Sequence, residues 1–79
     1  MASNWKASRE LVRIGQDEWQ MIMKGGYKVG IIVRQHYGTE VWFRSVTWSP
    51  DPLNRVLVGY CKSLDDAAKA LWIYKTYRP

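Results

Sequence analysis

An arginine held between aromatic rings on an extended segment can stack on planar groups and fork to phosphate or guanine. Trp42, Arg44 and Trp48 offer that combination within Glu40 to Trp48. In an extended chain successive side chains point to opposite sides. Trp42, Arg44, Val46 and Trp48 therefore share one face, and Val41, Phe43, Ser45 and Thr47 the other. Arg34 and Gln35, near the end of the preceding extended segment, add a charge and an amide to the same neighbourhood. The candidate binding residues are Arg34, Gln35, Trp42, Arg44 and Trp48. The competing structural reading has the tryptophans covering the edge of a small core while Arg44 snorkels outward.

Catalysis and metal binding have much less to build on. The chain holds one histidine, His36, one cysteine, Cys61, and seven carboxylates without a grouping that suggests acid/base or nucleophilic work. Asp65 and Asp66 are explained by helix capping, and Cys61 reads as a small apolar residue near a strand end. One Cys and one His exclude an internal disulfide and a Cys/His zinc site within one chain. Lys24-Gly25-Gly26 precedes a strand and not a helix, so it reads as a hairpin turn and not a phosphate cradle. The expectation is a non-enzymatic chain without a cofactor or metal.

Lysine and arginine number 12 against 7 acidic residues, for a net charge of +5 in 79 residues. That excess points toward a polyanionic partner, although small proteins also carry a few net charges for solubility. One small domain over residues 1–79 is expected, with residues 1–8 loose. Five Trp and five Tyr supply large apolar area to a short chain. No run of about 18 apolar residues occurs, and no apolar stretch of signal-peptide type follows Lys6 and Arg9. A soluble protein of the cytoplasm, of a cell or of a phage-infected host, is the corresponding expectation.

The elements that must position these residues are organised around Arg55 to Tyr77, where a strand runs directly into a helix. Ser63 has the signature of an N-cap, and Asp65 and Asp66 sit where the helix dipole favours negative charge. Leu64, Ala67, Ala68, Leu71, Tyr74 and Lys75 fall on one helix face. Its paired alanines suit close packing on a sheet. Upstream, Glu18 to Met23 alternates as a half-buried strand, Gly25-Gly26 allows a turn, and Tyr27 to His36 forms the hairpin partner. A turn at Tyr37-Gly38-Thr39 leads into Glu40 to Trp48, and Ser49-Pro50-Asp51-Pro52 ends pairing. Residues 4–15 admit a short helix capped by Asn4 or a strand from Arg9 to Ile14, with the mixed periodicity leaning to strand. The expected fold is α+β: an antiparallel meander of three to four strands packed by one C-terminal helix, with the second sheet face open.

The residues Val58, Gly59, Cys61, Ser63, Asp65, Asp66, Ala67 and Ala68 resemble the strand-to-helix pattern of the DNA-binding domain of plant ethylene-response factors. That three-stranded, one-helix domain is itself similar to the arm-site-binding domains of some phage integrases. Val33-Arg34-Gln35 with Gly38, Val41, Trp42 and Arg44 is similar in kind to the family's first hairpin, at a different spacing. The resemblance covers about residues 29–74 and implies a sheet laid in the major groove, with Arg34, Trp42 and Arg44, and less directly Gln35, at the DNA. The leading functional expectation is thus duplex DNA binding through the exposed sheet face. The alternative is a phage-type accessory protein that inhibits a host complex, for example an anti-CRISPR or polymerase inhibitor, using the same face as an aromatic-anchored docking site. A homodimer formed through an open face or edge is a third possibility.

Overall fold

The computed structural model describes residues 9–77. The loose segment expected at residues 1–8 lies outside them. The chain forms strands β1 (Arg9–Gly15), β2 (Glu18–Met23), β3 (Lys28–Tyr37), β4 (Glu40–Thr47) and β5 (Leu57–Cys61), followed by helix α1 (Leu64–Tyr77). The strands make one antiparallel sheet in the order β1-β2-β3-β4-β5. This confirms the α+β meander and its C-terminal helix but corrects the strand number from three or four to five. The segment whose periodicity was mixed, Arg9–Gly15, is a full edge strand paired from Arg9 to Gly15 with β2. Its Leu11 packs against the core.

Backbone chemistry sets each connection. Gly25 and Gly26 both take positive φ, 95° and 90°, in the β2–β3 turn, where an L side chain would be strained. Gly38, φ 62°, does the same between β3 and β4. Asp51 accepts a bond from the Leu53 amide at 3.0 Å and starts a short 3-10 turn at Pro52–Asn54, so pairing resumes only at Leu57 and not at Arg55.

Helix α1 lies across β3, β4 and β5. The Ser63 hydroxyl accepts from the Asp66 amide at 3.1 Å, the N-cap expected from sequence, and Asp65 and Asp66 occupy the first turn. Ala67, Ala68 and Leu71 are buried against Met21, Val29 and Ile32. The close approach needs small residues on both sides. A Cβ built on Gly30 would meet the Val46 carbonyl oxygen and sit 2.5 Å from Leu71 Cδ2. Ser45, fully buried beneath the helix, donates its hydroxyl to the Ala67 carbonyl at 3.1 Å and so satisfies its own polar group. Phe43, Ser45 and Thr47 face the helix side, as strand alternation requires. No helix among the described residues is long and apolar enough to cross a membrane.

Candidate nucleic-acid interface

Cross-strand partners in an antiparallel sheet point their side chains to the same face. Gln35 pairs with Trp42 and Val33 with Arg44, so Gln35, Trp42 and Arg44 share the face turned away from α1. Tyr60, opposite Arg44, joins them. Tyr37, Trp42 and Tyr60 line a shallow open depression there of about 320 Å³. The Trp42 indole donates to Glu40 Oε1 at 3.0 Å, and Lys62 Nζ lies 4.1 Å from the Trp42 ring centroid and 3.9 Å from the same carboxylate oxygen. This end of the face is therefore already charge-compensated.

Arg34 is not part of that face. It pairs with Phe43, which turns it to the helix side. Its Nη2 lies 2.6 Å from Asp17 Oδ1 and its Nε donates to the same oxygen at 2.8 Å. Its guanidinium also sits 5.4 Å from the Trp19 centroid, and its amide donates to the Asp17 carbonyl at 2.8 Å. Arg34 thus fastens the β1–β2 turn to β3. The physical reason for the correction is register: a shift of one residue reverses every side chain of a strand.

Trp48 also departs from the predicted cluster. It follows the last residue of β4 and lies between two cations, with Arg55 Cζ 4.4 Å and Lys28 Nζ 4.9 Å from its ring centroid. Arg55 is oriented by a bond from Nε to the Ser49 carbonyl at 2.8 Å. Nearby, Lys75 Nζ stands 6.0 Å from the ring of Tyr27, whose carbonyl closes the β2–β3 turn by accepting from the Met23 amide. Lys24 is exposed in that same turn.

The antiparallel order explains this gathering. The end of β2, the start of β3, the end of β4, the start of β5 and the last turn of α1 all lie at one end of the molecule. Lys24, Lys28, Arg55 and Lys75 belong to these segments, together with Glu10, whose backbone register opposite Ile22 places it at the same end, and Asp51, which accepts from the Leu53 amide. The opposite end carries Asp17, Glu18, Glu40, Asp65 and Asp66, together with Arg13, Arg34 and Lys62, the last two being the partners in the described salt bridges. Positive charge is therefore weighted toward one end of the strands, where Lys28 and Arg55 flank Trp48. Sequence reasoning named Trp48 but not Lys24, Lys28, Arg55 or Lys75. Their spread from position 24 to position 75 leaves no local signal.

The groups that would support chemistry stay apart. Among the described residues no cluster of His, Cys, Asp and Glu can hold a metal ion. Cys61 has its thiol pushed above the ordinary range, first by burial and then by the negative charge of Asp66. It is held in the neutral form that is a poor nucleophile. No protein-family model, curated protein or solved structure matches the chain.

Proposed function

We propose that this chain is a non-enzymatic module that binds duplex DNA through its basic end, with Lys24, Lys28, Arg55 and Lys75 on the phosphate backbone. The observation that carries this reading is the weighting of charge: Lys28 and Arg55 flank Trp48 and Lys24 and Lys75 lie at the same end, while five of the seven carboxylates and both described ion pairs lie at the other. A patch of one sign raises the local potential and draws a polyanion to that end. Stacking on Trp48 holds Lys28 and Arg55 in place before contact, which lowers the ordering cost of binding. Phosphate contacts position a protein without reading bases, so weak sequence preference is expected.

Fluorescence anisotropy with a short generic duplex tests the reading. If all four cations displace counterions, the logarithm of affinity falls with the logarithm of salt at a slope of roughly −3.5, about a hundredfold loss between 50 and 200 mM. Absence of binding at the lowest salt would overturn the proposal. The basic end would then be assigned to an acidic protein surface, as in a phage-type inhibitor of a host complex.

A further inference from the structure

The sheet face turned away from α1 is covered by nothing among the described residues. Register sets its composition. Val12, Gln20, Ile31 and Val46 form one row across β1 to β4, and Glu18, Val33, Arg44 and Tyr60 form the next across β2 to β5. Val12 is 41% exposed and Tyr60 47%. The first row is mainly apolar, the second mixes Val33 and Tyr60 with two charges, and each is centred on a β-branched residue of β3.

The second row carries two opposite charges placed symmetrically. Glu18 and Arg44 flank Val33, one strand to either side, so their Cα atoms are about 10 Å apart at the usual strand spacing. Neither has an ion-pair partner among the described residues. A twofold rotation about an axis in the interface, running along β3 past Val33, exchanges the β2 side of one copy with the β4 side of the other. It sets Arg44 of each copy opposite Glu18 of its mate, and Val33 and Ile31 against their own copies. This is the self-complementarity that an isologous contact requires.

We propose that the open face pairs with the same face of a second copy of this chain, about a twofold axis along β3, with reciprocal Glu18–Arg44 contacts. The footprint is large enough. Five strands about 4.8 Å apart and roughly 20 Å long cover on the order of 480 Å² per copy, or about 1,000 Å² for the pair, the lower bound for a specific interface. The two sheets stack in the aligned manner of a sandwich. Rotation about an axis parallel to the strands preserves the strand direction, so both basic ends emerge on the same side of the dimer. The pairing does not depend on the nucleic-acid reading.

Sedimentation velocity on the full chain over a concentration series tests the contact. The wild type is expected to dimerise. Arg44→Glu and Glu18→Arg each place like charges face to face, and each should weaken the dimer by roughly tenfold or more. The double variant Arg44→Glu with Glu18→Arg restores opposite charges and should recover most of the lost affinity. Thermal melts confirm that each variant is folded. Exchanging Lys28 and Arg55 for alanine should leave dimerisation unchanged, which separates this contact from DNA binding at the basic end. A wild type that stays monomeric at the highest concentration reached overturns the proposal. So does a dimer indifferent to either single exchange, or a double variant no better than the singles.

Discussion

Gly30→Ala is the sharpest probe of how the helix is seated. A Cβ at this position would press on the Val46 carbonyl and approach Leu71 Cδ2 at 2.5 Å and Cδ1 at 2.8 Å. The carbonyl belongs to the β3–β4 ladder, where Ile31 pairs with Val46, and Leu71 is fully buried, so neither yields without disturbing its neighbours. Overpacking of this kind costs about 1–3 kcal/mol, and a contact with rigid backbone belongs at the upper end. Loss of glycine's freedom in the unfolded chain returns up to ~1 kcal/mol, leaving a net destabilisation of roughly 2 kcal/mol. At about 4–8 °C per kcal/mol for a domain of this size, the midpoint of a thermal melt followed by circular dichroism should drop by roughly 8–16 °C. Gly59→Ala is the internal control. A Cβ there meets nothing within 4 Å, so its melt should match the wild type or rise slightly. If Gly30→Ala melts with Gly59→Ala, α1 does not lie against β3 at this point and the packing described above is wrong.

Two further outcomes rest on the helix start. Ser63→Ala removes the acceptor of the Asp66 amide and should cost about 0.5–2 kcal/mol, read from chemical denaturation; an unchanged midpoint would show that the cap contributes nothing. Cys61 reacts as thiolate, and its raised pKa leaves less thiolate at a given pH, so its alkylation profile should be displaced to higher pH than that of a free thiol. Asp66→Asn removes the smaller of the two causes and should move the profile part of the way back, whereas an unmoved profile would leave burial as the whole cause.

Local signals carried much of the fold. Ser63 before two aspartates and paired alanines marked the start and inner face of α1, because capping and close packing each restrict residue type at fixed spacing. Alternation along Glu40–Thr47 separated Trp42 and Arg44 from Phe43 and Ser45 correctly. Arg9–Gly15 was ambiguous, since an edge strand has a pairing partner on only one side and its pattern is correspondingly weak. The binding cluster was legible only in part. Arg34 and Gln35 are adjacent in sequence, and only the register of β3 on β4 decides which of them joins Trp42. The basic end depends on contacts between turns and termini far apart in the chain, which no periodicity encodes. Gly30 carried no sequence mark of its role, as its requirement comes from Leu71 and Val46 and not from backbone conformation.

On the proposed reading the basic end, and not the Trp42–Arg44 face, meets DNA. The test is duplex binding over a salt series, at protein concentrations too low for dimerisation, for Lys28→Ala/Arg55→Ala beside Arg44→Ala. The paired variant should weaken binding to all sequences alike and flatten the salt slope by roughly two units, with the slope unaltered by Arg44→Ala. A slope unchanged in the paired variant, or a loss of affinity and sequence preference confined to Arg44→Ala, would contradict it and return the contact to the open face.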